Sequence, residues 1–195
     1  MMCRARNDRL FVTQSVDRIH ITGASGSGQT TLGSALAERF GYRHLDADDY
    51  FWIPTEPRFT TPREVEGRRR MLSVDVTAHP RWVLSGSLMN WGDPFTPLFD
   101  LVVFLYLPHG IRMARLRERE LARCGTEALA PGGRLRQHYV EFMSWAEKYD
   151  TAGDEQRSLC VHNRWLASLT CPVVRLEGNY TIDERLARLA GWIGR

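Results

Sequence analysis

Nine residues, Gly23-Ala24-Ser25-Gly26-Ser27-Gly28-Gln29-Thr30-Thr31, constrain this chain more than any other stretch. They follow an apolar run, Ile19-His20-Ile21-Thr22, and lead into Leu32-Gly33-Ser34-Ala35-Leu36-Ala37-Glu38-Arg39-Phe40. The segment therefore reads as strand, loop and helix. Its three glycines permit a sharp turn and a close approach of backbone to a ligand. Amides of the loop and of the first helical turn then point at one spot, which makes an anion cradle suited to a nucleotide phosphate.

The spacing resembles the Walker A P-loop, GxxxxGK followed by Ser or Thr, with Gly23, Gly28 and Thr30 in register. Position 29 departs from it, because Gln29 stands where that pattern has its phosphate-binding lysine. Glutamine donates hydrogen bonds but carries no charge. On this resemblance Gly23, Ala24, Ser25, Gly26, Ser27, Gly28, Gln29, Thr30 and Thr31 form the nucleotide-binding set. The plain alternative is a Gly/Ser-rich turn before an ordinary helix.

A length of 195 residues suits one domain, over 18–195, after an N-terminal extension of residues 1–17. A chain of that size buries about 70% of its unfolded surface, enough for a real core. With 43% hydrophobic and 25% charged residues, disordered and fibrous classes are excluded. The formal charge is +3, and Lys148 is the single lysine, so the positive charge is nearly all arginine. No dense basic run with stacking aromatics marks a nucleic-acid groove, and no nucleic-acid partner is expected. Cys3, Cys124, Cys160 and Cys171 are scattered without a CxxC pair or metal-ligand spacing, which points to a reducing compartment. No run approaches the ~18 apolar residues of a membrane span. A cytoplasmic protein with no membrane partner is expected.

Along the chain, Gly41 suits a helix C-cap, and Tyr42-Arg43-His44-Leu45 reads as a short strand ending at Asp46-Ala47-Asp48-Asp49. Carboxylates there sit at the carboxyl end of a strand, where open parallel sheets bind ligands. Tyr50-Phe51-Trp52 with Pro54 and Pro57 reads as a loop walling a pocket. Thr61-Pro62-Arg63-Glu64 has the form of a capping box opening a helix towards Ala78. Arg81 to Gly86 is the third strand, and Leu101 to Leu107, apolar throughout, is a strand buried on both faces. Ile111 to Arg123 reads as a helix with Arg112, Arg115, Arg119 and Arg123 along one side. Like charges at that spacing are unfavourable unless something negative faces them.

After a Gly/Pro-containing interruption at 125–133, a helix carries Phe142, Trp145 and Tyr149, and another covers Asp154 to Leu169. A last strand begins at Pro172, and Thr181 with Glu184 opens the closing helix by a second capping box. The alternation predicts an α/β fold with a doubly wound five-stranded parallel sheet. His44, His138 and His162 carry no ligand spacing and stay outside the expected site.

From Ile19 to about Trp192 the order of motifs resembles the small P-loop kinases of the adenylate, shikimate and gluconate kinase type. That resemblance implies a P-loop NTPase fold, ATP on the glycine loop with Mg²⁺, an acceptor beside the second strand, and an Arg-bearing helical lid at about 112–136. It matches Thr30 to the hydroxyl that ligates the metal, and Asp46-Ala47-Asp48 to the Asp-x-Asp of shikimate kinases. Asp46 would then support the metal through water and Asp48 would meet the acceptor hydroxyl as the catalytic carboxylate. Leu84-Ser85-Gly86-Ser87 is nearer to the metabolite kinases than to adenylate kinases, favouring a small hydroxylated acceptor over a nucleoside monophosphate.

Phosphoryl transfer is mostly positioning and charge neutralisation, so the missing lysine bears on catalysis more than on binding. Arg115 or Arg119 is the candidate replacement, against the alternative of a solvated helix face. The Arg63 to Arg70 group is either a site for an anionic group of the acceptor or a surface helix end. The expected function is an ATP-dependent kinase. The alternative is a nucleotide-binding sensor or degenerate kinase with little transfer.

Overall fold

Side chains that alternate between two apolar layers set the sheet. The computed structural model describes residues 15–193. Strands β1 (Arg18–Gly23), β2 (Arg43–Asp46), β3 (Trp82–Ser85), β4 (Leu101–Tyr106) and β5 (Val173–Glu177) are all parallel, in the order β2-β3-β1-β4-β5. Ile19, Ile21, Val83, Leu101, Val103 and Leu105 point to one layer, while Trp82, Leu84, Val102 and Phe104 point to the other. This period of two explains why β4 is apolar throughout, as a strand covered on both faces has to be.

Helices α1 (Gln29–Phe40) and α8 (Ile182–Ile193) cover the first layer with Leu32, Leu36, Leu186, Leu189 and Ile193. Gly41 ends α1 with φ 73° and returns its N–H to Ala37 O. The capping box of α8 is present: Thr181 N donates to Glu184 Oε2 at 2.7 Å, and Glu184 N to Thr181 Oγ1 at 3.3 Å. Helices α3 (Val65–Ala78) and α7 (Leu159–Ala167) cover the second layer through Leu72 and Leu166. The doubly wound five-stranded arrangement is therefore the one expected.

Three local expectations fail for identifiable reasons. The box at Thr61 and Glu64 does not form, and α3 starts only at Val65 with no side-chain cap. Residues 61–63 instead pair with 51–53, through Ile53 N to Thr61 O at 2.9 Å and Arg63 N to Phe51 O at 2.7 Å. Extended backbone is what a residue before proline favours, and Thr61 precedes Pro62. The stretch expected as an aromatic loop begins as a short helix, α2 (Ala47–Phe51), because Asp46 Oδ1 caps it by accepting from Asp48 N at 3.0 Å. The segment expected to be helical from Asp154 becomes so at Leu159, where Ser158 Oγ accepts from Val161 N. Of the N-terminal extension, residues 1–14, Cys3 among them, lie outside the described residues.

Helices α4 (His109–Cys124), α5 (Thr126–Leu129) and α6 (Arg136–Glu147) follow β4. The first member of the arginine stripe is fully buried: Arg112 donates to Asp150 Oδ2 at 2.9 Å and to Ala146 O at 2.8 Å. This pair fastens α4 to the end of α6. Under β1, His20 bonds Leu84 O at 3.0 Å, and His162 lies between Thr22 Oγ1 at 3.4 Å and Tyr149 Oη at 2.7 Å. Burial pushes His20 down to about 4, and burial aided by Arg157 and His20 pushes His162 down to about 3. Both are neutral in the fold.

Arg112→Met should cost about 3–5 kcal/mol in urea unfolding, because it strands the Asp150 carboxylate. The two histidines bind protons in the unfolded chain near their ordinary 6.5 but not in the fold. Stability should therefore fall on acidification from about pH 6.5 towards about 4, by ~1.4 kcal/mol per pH unit for each histidine. Urea midpoints measured between pH 7.5 and 5 check this, and a flat profile would contradict it.

Candidate functional site

The glycine loop is built by what surrounds it. A Cβ on Gly23 would lie 2.4 Å from Leu105 O of β4, and one on Gly26 would lie 2.8 Å from Leu116 Cγ of α4. Gly28, the N-cap of α1, has φ 91°, and a Cβ there would lie 2.9 Å from Arg185 Nη1 of α8. Arg185 is buried and donates to Ser27 O at 2.9 Å, so α8 braces the loop from behind. The N-cap of α1 makes no side-chain hydrogen bond and its first turn holds no acidic residue. Its leading amides and the positive end of the helix dipole thus remain available to an anion.

Gln29 turns back on the loop, its Nε2 donating to Gly23 O at 3.2 Å and Ala24 O at 3.0 Å. Its Oε1 is buried without a partner. Thr30 Oγ1 donates to Asp46 Oδ2 at 2.8 Å, which joins the loop to the carboxyl end of β2. Behind this contact Ser85 Oγ lies 3.4 Å from Asp46 Oδ2 and 2.9 Å from His44 Nε2, and His44 Nδ1 reaches Ser34 Oγ at 3.2 Å. His44 fits because position 33 is glycine: a Cβ there would lie 2.4 Å from its Nε2.

Asp48 is the second residue of α2. Desolvation in its recess, followed by the charge of Asp46, raises its pKa, against Arg157, the Trp52 indole and Arg119. Asp49 is raised for the same two leading reasons.

The remaining expected residues divide. Arg119 acts electrostatically on Asp48 while bonding Glu120 at 2.9 Å. Arg115 reaches away to Asn179 Oδ1 at 2.8 Å, in the turn after β5. Arg123 pairs with Glu120 at 3.5 Å and lies 4.9 Å over the Phe59 ring. Three arginines at the start of α3 bond main-chain carbonyls, while Arg70 is exposed: Arg63, just before the helix, donates to Tyr50 O and Trp52 O, Arg68 to Arg63 O, and Arg69 to Trp91 O. Those guanidinium groups hold the α2–α3 connection together.

Two arginines went unnoticed in the sequence. Arg185 sits inside an ordinary amphipathic helix pattern. Arg157 falls in the segment read as helix from Asp154, with no motif around it. In the fold its Nη2 donates to Ser25 Oγ at 2.6 Å, and its guanidinium lies 4.9 Å over the Trp145 ring. Burial lowers its pKa, partly offset by Asp48. Histidine 44 was set aside for want of ligand spacing, and its role as a support for Ser85 and Asp46 follows from strand pairing alone. Among the described residues no helix is long and apolar enough to cross a membrane.

No family model matches the chain. It is 45% identical over 175 residues to "Uncharacterized protein YqaC" of Bacillus subtilis (strain 168), covering 90% of this chain and 96% of that one. It is also 30% identical to "Probable gluconokinase" of Xenopus tropicalis, in a 131-residue alignment covering 52% of this chain and 68% of the relative. Among solved structures, the shikimate kinase of Bacteroides thetaiotaomicron shares the fold, with a TM-score of 0.53 and 20% identity over 91% of this chain and 98% of that one. The five-stranded parallel sheet, the glycine loop at the end of β1 and the gluconokinase relative agree: the chain belongs to the P-loop kinase family.

Proposed function

We propose that this protein is an ATP-dependent phosphotransferase acting on a small hydroxylated metabolite or a nucleoside monophosphate. The observation that carries this reading is the 2.8 Å bond from Thr30 to Asp46, which joins the glycine loop to the carboxylate two residues before Asp48. Gly23 to Thr31 would hold the nucleotide phosphates through main-chain amides. Thr30 and Asp46 are hard oxygen donors in contact, and such a pair fits Mg²⁺, which takes one or two protein oxygens and fills its shell with phosphate and water. When bound, Mg²⁺ would neutralise charge on the phosphoryl oxygens.

Asp48 would accept the proton of the acceptor hydroxyl. A raised pKa makes it a better base than a free carboxylate, as long as it stays ionised. Arg115 and Arg119 would add positive charge from a lid at about 112–136. Contacts of Arg123 with Phe59 and of Arg134 with Glu56 link that lid to the 52–62 connection, which supports an acceptor pocket beneath it. The Walker A departure at Gln29 belongs to the same proposal. The three described cysteines, Cys124, Cys160 and Cys171, are free thiols, which favours a cytoplasmic setting. A second reading, a nucleotide sensor with little transfer, draws on Gln29 alone, whose amide is committed to Gly23 and Ala24.

Incubation with Mg-ATP and pooled metabolites separates the two. Acceptor-dependent ADP release is expected, whereas nucleotide binding without release would leave the sensor. Asp48→Asn should lower turnover about 10²- to 10⁴-fold while Mg-ATP still binds in calorimetry. Replacing Arg115 and Arg119 together by alanine should slow transfer about 10³-fold or more, and unchanged turnover would remove both from the mechanism.

A further inference from the structure

Gln29 leaves the loop without a side-chain charge, and its amide nitrogen is already used on two carbonyls. A polyphosphate there would meet the roughly half-charge of the helix terminus and the loop amides. Any full positive charge has to come from elsewhere in the fold.

The arginines around the loop differ in what they already hold. Arg112 is committed to Asp150 and Ala146 O, Arg123 to Glu120 and Arg185 to Ser27 O, while the lid arginines, Arg115 on Asn179 and Arg119 on Glu120, make no hydrogen bond to the loop. Arg157 stands apart. Its Nη2 contacts the loop itself, at Ser25 Oγ, and its guanidinium carbon lies 4.9 Å from the Trp145 ring centroid. Its Nε is buried with no hydrogen-bond partner, as are those of Arg112 and Arg185, but its one hydrogen bond goes to a serine hydroxyl and not to a carbonyl or carboxylate. No ion pair among the described residues includes it, and Asp48 acts on it only from beyond ion-pair contact.

Arg157 is only partly exposed, and a guanidinium half removed from water without a carboxylate is favoured where an anion can complete it. Arginine suits that position better than lysine would, because its planar, weakly hydrated group tolerates an aromatic face and grips phosphate at two points. We propose that Arg157 supplies the positive charge that position 29 lacks, gripping phosphoryl oxygens of a nucleoside triphosphate held on the 23–31 loop. The lysine of a P-loop reaches its phosphate from within the loop. Here the cation arrives from the segment before α7, across Ser25. The inference rests on the nucleotide-binding reading of the same loop.

Calorimetry of the full chain with Mg-ATP tests it, on wild type, Arg157→Gln, Arg157→Lys, and Arg157→Gln combined with Gln29→Lys. Arg157→Gln should weaken binding about 10- to 100-fold, as loss of a charged hydrogen bond does. Arg157→Lys should keep most of the affinity, and Gln29→Lys should recover most of what Arg157→Gln loses. Arg157→Met, which keeps an apolar stem over Trp145, serves as the charge-removing variant if the glutamine form does not fold. Without nucleotide, the charge-removed form should melt at or above wild type, because an unpaired cation has been deleted.

If wild type binds Mg-ATP and Arg157→Gln binds it equally well, Arg157 is not the phosphate cation and the nucleotide reading stands without it. If affinity and ligand-free melting temperature fall together and neither lysine restores binding, Arg157 is a brace for the loop and the proposal is overturned. If wild type gives no heat with Mg-ATP or Mg-ADP, the nucleotide reading fails first and this inference with it.

Discussion

Lack of room around residues 23–28 governs this molecule. The Leu105 carbonyl of β4, the Leu116 side chain of α4 and the Arg185 guanidinium of α8 occupy the space that side chains on Gly23, Gly26 and Gly28 would need. Three separate elements thus press the loop into a shape that turns its amides outward, so the anion cradle is a property of the packed domain. The two apolar layers on either side of the sheet supply the rigidity that holds those elements in place. A larger residue at any of the three positions would disturb both the core and the site.

A second theme is how the fold treats its many arginines. Most are neutralised or used as hydrogen-bond forks: Arg112 on Asp150, the α3 arginines on main-chain carbonyls, and Arg119 and Arg123 on one glutamate. Arginine serves here as a structural connector, because five donors in one plane can satisfy several carbonyls at once. Against that background, two guanidinium groups touch the loop without a carboxylate: Arg185 holds a main-chain carbonyl from behind, whereas Arg157 holds only a serine hydroxyl on the Asp48 side. The carboxylates on the other side of the loop, Asp46 and Asp48, are treated differently. One is fixed by Thr30 and by capping α2, while the other is left free with a raised pKa. Fixing one and freeing the other is what a site needs if the two are to do different work.

Much of the fold was legible along the chain because its signals are local. The alternation of apolar strands and amphipathic helices predicted the parallel sheet, the glycine loop declared itself by spacing, and the Thr181–Glu184 box reported a contact between residues three apart. The matching signal at Thr61 and Glu64 misled, because a longer-range backbone pairing with residues 51–53 competed for the same segment and won. The site was legible in the parts attached to strand ends, Thr30, Asp46 and Asp48. It was silent about Arg157 and Arg185, which reach the loop from segments distant in sequence, and about His44, which supports Ser85 behind Asp46.

The sequence by itself determined the architecture, the glycine loop and the aspartates at the end of β2, since periodicity and motif spacing depend on neighbours within a few residues. Only the tertiary structure decided which arginines hold carboxylates and carbonyls and which touch the glycine loop. Whether a guanidinium is satisfied depends on the carbonyl or carboxylate that folding brings beside it, and Arg157 meets Ser25 across 132 residues of chain.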